Sequence, residues 1–235
     1  MSNSPRFIIL HLAVALAASS VSAATPGTDN ADENVYTTSR WESGINGGTG
    51  FLGWNLVAGS SDERACGFVL EASPMARGVI NSHGGRAFGM RARGKGVTAE
   101  AYRTFDLPLE PGQSFSVDLA VNFRSGARGL DLRSAGDERR LFNFNIGSDD
   151  YVVHGAATGN GSLGDTYHSD TVFTVTFTQT SAEGGIWKIE RAGGVAAESA
   201  GTYEGRAGGV KFYVMDTDDS PENDLWINNL AITGS

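Results

Sequence analysis

Four stretches of this chain alternate apolar and polar residues with a period of two, and that pattern excludes most folds. In SFSVDLAV (114–121), Phe115, Val117, Leu119 and Val121 fall on one side, and Ser116, Asp118 and Ala120 on the other. In TVFTVTFTQT (171–180), Phe173, Val175 and Phe177 alternate with Thr174, Thr176 and Thr178. VKFYVMD (210–216) and DLWINNLAI (224–232) follow the same rule. Successive side chains of an extended strand point to opposite faces, so these segments are strands with one buried face. No segment keeps a helical period; only GVAAESA (194–200) suits a short turn of helix.

Between the alternating runs lie glycine clusters such as GINGGTGFLG, HGGRAFG, GNGSLG and RAGG, part of a total of 32 glycines. Glycine reaches positive φ without a steric penalty, so these are turns. Ten or more short strands joined by regular turn signals predict an all-β fold: a single antiparallel β-sandwich of jelly-roll, concanavalin A-like type. No internal repeat of propeller or solenoid length is present.

The N-terminus reads differently. Arg6 precedes an apolar run, Phe7 to Ala18, and Val21-Ser22-Ala23 supplies small residues at a cleavage site. This is the pattern of a secretory signal peptide over 1–23, and it predicts a secreted protein with no membrane span. Residues 24–38 are polar and aperiodic and are expected to be a flexible segment, with the sandwich over 39–235. Cys66 is the single cysteine, so no disulfide forms within the chain, and its apolar setting predicts a buried small hydrophobe. The formal charge of −9 argues against nucleic acid as a partner. The charge is uneven: residues 141–235 hold 4 basic and 13 acidic side chains.

The ordered stretches WESGINGGTGFLGWNLV (41–57), GGRAFGMRA (84–92), AYRTFDLPLEPGQSFSVDL (101–119) and NDLWINNLAI (223–232) together resemble bacterial secreted β-sandwich modules. These are similar to the concanavalin A-like lectin/glucanase group and to jelly-roll carbohydrate-binding modules. The resemblance spans nearly all of the chain after the leader. It implies a polysaccharide or other glycan as partner, bound by ring stacking and loop hydrogen bonds, with calcium as a structural cofactor.

No catalytic signature accompanies it. Glycosidases need two carboxylates across one sugar bond, and no E-x-D-x-E run occurs here. Jelly-roll lyases cluster Arg, Gln, His and Tyr on neighbouring strands, but spacing alone does not gather His83, His154 and His168 with Tyr151 or Tyr167. For sugar binding, an aromatic ring offers a face to the apolar C–H face of a pyranose. The candidates are Trp54, Tyr151, Tyr167 and Trp226, with Asp149 and Asp150 as loop acceptors. Trp226 alternates with Leu225 and Ile227, so it faces away from whichever side they bury. Arg91 and Arg93 share a strand face in a locally basic stretch, a modest basic patch that makes Arg91 a candidate ligand-binding residue. The arginine-rich segment 123–142, with Arg124, Arg128, Arg133, Arg139 and Arg140 against Asp131, Asp137 and Glu138, reads first as a hairpin with internal ion pairs and second as a groove for a uronate or sulfate.

Residues 216–224 place five carboxylates within nine residues. Such repulsion opposes a compact loop unless a cation answers it. Calcium takes six to eight oxygens, and Asp216, Asp218, Asp219 and Asp224 are the candidate ligands. The alternative is a turn, which Pro221 and the Asp/Asn residues favour without metal. The turn ranks first and calcium second. The leading function is non-catalytic glycan recognition, followed by a hydrolase or lyase on the same fold, then a surface or matrix structural protein.

Overall fold

The computed structural model describes residues 23–38, 40–62, 64–81, 84–123, 125–147, 151–154, 163, 164 and 166–234. Residues 1–22, nearly all of the expected signal peptide, and Asp149 and Asp150 lie outside the described residues. In chain order the strands are β1 (Gly27–Asp29), β2 (Asn55–Ala58), β3 (Cys66–Glu71), β4 (Ala87–Ala92), β5 (Thr98–Thr104), β6 (Ser114–Ala120) and β7 (Ala127–Ser134). They continue as β8 (Arg140–Asn145), β9 (Val152–His154), β10 (Val172–Ser181), β11 (Gly184–Ala192), β12 (Ala197–Glu204), β13 (Ala207–Met215) and β14 (Leu225–Thr233). Two short helices, α1 (Asn34–Thr38) and α2 (Arg77–Ile80), and a 3-10 turn (Pro221–Asn223) complete them.

The strands form two antiparallel sheets in a β-sandwich of jelly-roll type. The first runs β12-β11-β10-β6-β14-β4-β3, with β1 added beside β14; the second runs β2-β5-β13-β7-β8-β9. The alternation works as expected. Phe115, Val117, Leu119, Phe173, Val175 and Phe177 are buried between the sheets. They meet the inner side of the second sheet, where Phe142 lies 5.0 Å from Phe177 and Phe144 lies 5.2 Å from Phe173, both edge-on. Such pairs add to the area that their rings bury.

Three expectations need correction. Residues 24–38 are part of the sandwich. β1 pairs with β14, and Tyr36 on α1 is buried with its hydroxyl on Asp29. The polar composition hid this because the anchor is polar. Arg103 and Asp29 pair at 2.6 Å with both side chains fully enclosed, and Arg103 lies over the Phe51 and Trp54 rings. Second, residues 197–204 form strand β12 rather than helix, because the edge of β11 offers them a full ladder. Third, the basic stretch is neutralised: Arg86 faces Asp32, Arg91 faces Glu71 at 4.0 Å, and Arg93 binds Asp224.

Cys66 is buried, with its thiol on the Thr98 carbonyl. The arginine-rich segment is the β7–β8 hairpin with the ion pairs Arg133–Asp131 and Arg139–Asp137, as its composition predicts. Among the described residues no helix is long and apolar enough to cross a membrane.

Candidate functional site

The expected aromatic platform is absent from the surface. Trp54 and Trp226 are buried, as are Trp41 and Trp187. Trp54 donates its indole N–H to the Tyr36 hydroxyl at 2.9 Å inside the core. Trp226 does point away from Leu225 and Ile227, as alternation requires. There the α2 region covers it, and it packs with Met75, Ala76 and Ile80. Tyr151 is fully buried, with its ring 4.8 Å from Phe173 and under the Arg191 guanidinium. Arg91 lines a separate cavity with Trp41 and Cys66, away from the other candidates. Of the proposed rings only Tyr167 is exposed, edge-on to Phe123 at 5.6 Å.

The acidic loop is a turn. Ser220 caps the 3-10 segment that begins at Pro221. Asp216 accepts from the Gly96 amide, and Asp218 accepts from the Ser220 amide and the Asn223 side chain. Asp224 is buried, and its two oxygens share one Arg93 nitrogen at 3.1 and 2.9 Å. Arg128, buried beside them, donates to the Asn223 carbonyl, and its charge is felt by Asp218 and Asp224. Two arginines therefore face two of the five carboxylates, Asp218 and Asp224. Asp219 is exposed. Among the described residues no three His, Cys, Asp or Glu side chains gather closely enough to hold a metal.

Chemistry gathers instead on the outer face of the second sheet. Register places Asn55, Tyr102, Lys211, Asp131, Asn143 and His154 in one row across β2, β5, β13, β7, β8 and β9. The row beside it brings Val57, Glu100, Tyr213, Gly129, Asn145 and Val152 into line. Their alternates, Ala101, Phe212, Leu130 and Phe144, are core residues, so period two turns the polar groups of these two rows to the same side.

Lys211 joins the rows. Its ammonium lies 3.0 Å from Glu100 and 3.2 Å from Asp131, and over the Tyr213 ring. Asn143 donates to Asp131 at 2.8 Å and to the Tyr213 hydroxyl at 2.9 Å. Tyr102 donates to Glu100 at 2.8 Å. Burial pushes Glu100 upward, but the Tyr102 hydroxyl and Lys211 more than offset it and hold the carboxyl below its ordinary value. Burial pushes the Tyr213 phenol up to about 12, so it stays protonated at neutral pH.

Two concavities lie on this face. One, of about 400 Å³, is lined by Arg140, Asn143, His154, Lys211, Tyr213 and Asp131 over a floor that includes Ala127 and Met215. The other, of about 580 Å³, lies toward β2 and β5. Of the lining residues of the first, sequence reasoning named His154, and Asp131 and Arg140 within the arginine-rich segment, but did not bring them together. The signal was there: these residues are the polar alternates of NLVA, AEAYR, LDL, LFNFN, VVH and KFY. What spacing lacked was the strand order that sets β13 between β5 and β7.

No protein-family model matches the sequence. No curated protein matches it either. Solved structures show only remote likeness. An alginate lyase of polysaccharide lyase family 7 is 16% identical with a TM-score of 0.43, over 64% of this chain and 79% of that one. A marine alginate lyase of family PL-14 from Aplysia kurodai is 10% identical with a TM-score of 0.43, over 73% and 87%. The binding domain of botulinum neurotoxin serotype D is 11% identical with a TM-score of 0.42; the match takes in 78% of this chain and 44% of that domain, less than half its length. Likeness at this level says nothing of activity.

Proposed function

We propose that the chain processes an acidic polysaccharide at the polar pocket of the second sheet, cleaving it by β-elimination. The observation that carries this is the convergence of Arg140, Asn143, His154 and Tyr213 on one open pocket while all four tryptophans are buried. Elimination from a uronate needs three things: neutralisation of the carboxylate, a base for the proton on the adjacent carbon, and an acid for the leaving oxygen. Arg140 is exposed and has the charge for the first role, with the Asn143 amide beside it. His154 is exposed on β9 and takes the proton. Tyr213, protonated, delivers its proton to the glycosidic oxygen as the C–O bond breaks and a C=C bond forms.

One observation favours a second reading, glycan binding without cleavage. Lys211, Asp131 and Asn143 already satisfy one another, as in a pre-organised recognition surface. Both readings place the glycan on the same face. Incubation with a panel of polyuronates, followed by ultraviolet absorbance of the unsaturated sugar end, separates them. Absorbance growth supports elimination; retention of the polymer without growth supports binding alone.

A further inference from the structure

The larger cleft differs in chemistry from the polar pocket beside it. Gly209 faces outward on β13 between Thr104 of β5 and Arg133 of β7. Gly209 lines the cleft, and a Cβ there would meet the β5 backbone, 2.9 Å from the Arg103 carbonyl oxygen. On the β2 side the cleft is lined by Leu52, Asn55 and Val57 and on the β7 side by Arg133, with Leu107 and Pro108 completing its apolar part.

That apolar wall is unusual for this molecule. Leu52 is 50% and Val57 45% exposed, the first and third highest values among the large hydrophobic side chains of the described residues. Leu52 is fixed in that position. Its amide donates to the Thr104 carbonyl at 2.9 Å, and its carbonyl accepts from the buried Arg103. A wall held rigid and uncovered is pre-organised for a ligand. An unsubstituted sugar does not fit it well, because hydroxyls pressed on Leu52 and Val57 lose water and gain no partner. A short acyl ester supplies a methyl for the apolar side chains and a carbonyl oxygen for the donors of Asn55 beside them and Arg133 across β5 and β13.

We infer that this cleft is a subsite for a sugar residue bearing a short acyl ester, such as an O-acetyl group. It rests on the sheet face being a glycan surface and extends that face toward β2. The ester is a specificity element, and no bond to it breaks.

The test uses methyl-labelled protein and two neutral probes, an O-acetylated glucose monoester and glucose. Neither carries a carboxylate, so the outcome is independent of whether a polyuronate is cleaved in the neighbouring pocket. The ester is expected to shift the Leu52, Val57 and Leu107 methyl resonances saturably, and glucose to leave them in place. Leu52→Asn with Val57→Asn, read at Leu107, is expected to weaken the ester by about tenfold, the scale of one methyl group in an apolar pocket. Equal shifts with both probes, no shift with the ester, or undiminished ester binding by the double variant overturns the inference.

Discussion

Arg103 Nη2 lies 2.6 Å from Asp29 Oδ2, with both side chains wholly out of solvent. The pair ties the N-terminal strand β1 to β5, across the two sheets, and the same guanidinium also holds the Leu52 carbonyl and the Asn46 side chain. Removing one partner leaves the other charged and unpaired inside the sandwich. Asp29→Ala is therefore expected to cost about 3–5 kcal/mol in a urea titration. A loss under about 1 kcal/mol, the range of a surface pair, contradicts the anchoring role.

Gly89 faces Trp226 across the β4–β14 ladder, and a Cβ there would sit 2.6 Å from the indole and 2.7 Å from Val69. Gly89→Ala is expected to destabilise by about 1–3 kcal/mol through overpacking. Trp226→Ala is expected to cost about 3–5 kcal/mol by opening a cavity under α2. Indole fluorescence reports the same burial: an aqueous quencher that reaches several of the four tryptophans in the native protein contradicts it.

Tyr102 and Tyr213 titrate at about 12 in the fold against 10.0 for a free phenol; burial is the main cause, joined at Tyr102 by its bond to Glu100. A raised folded pKa means the fold favours the neutral phenol. That stability is complete below pH 10.0 and is lost as pH rises from there through about 12. The urea midpoint is expected to fall across that window, and less steeply in Tyr213→Phe. A midpoint that is flat there contradicts the burial of the hydroxyl.

Arg93 and Arg128 already answer the charge of the acidic loop. EDTA is accordingly expected to leave the thermal midpoint unchanged, while Arg93→Ala lowers it by leaving Asp224 buried without its partner. A midpoint that falls in EDTA and returns with calcium places a metal in this loop.

The strands were legible because their signal is local. Phe115, Val117 and Leu119 state their own periodicity, and the sheet merely uses it. Trp226 shows the limit: its side of β14 was correctly opposite to Leu225, yet exposure depended on α2, four residues from a distant stretch with no helical period. Tyr151 and Trp54 failed as platforms for a related reason. Buried arginines, Arg191 and Arg103, draw their rings inward, and nothing in the neighbouring sequence announces such a partner. The polar pocket was written as ordinary strand alternation. Lys211 and Tyr213 look like solvated positions until β13 is seen lying between β5 and β7.

The pocket residues separate chemistry from binding. His154→Ala and Tyr213→Phe are each expected to lower turnover of a polyuronate by about 10²–10⁴-fold, the range of one proton-transfer group, with little change in retention of the polymer. Arg140→Ala is expected to weaken retention as well, because its charge meets the carboxylate before and during the reaction. Parallel losses of retention and turnover in all three variants contradict these separate roles.

The most direct measurement is the mass of the products formed from a polyuronate by the wild-type protein and by Tyr213→Phe. The account predicts wild-type fragments whose new sugar end is lighter by one water than a hydrolysis product, and none above background from the variant. Fragments with the full mass of hydrolysis, or no fragments across the polyuronates that the protein retains, contradict elimination at this face.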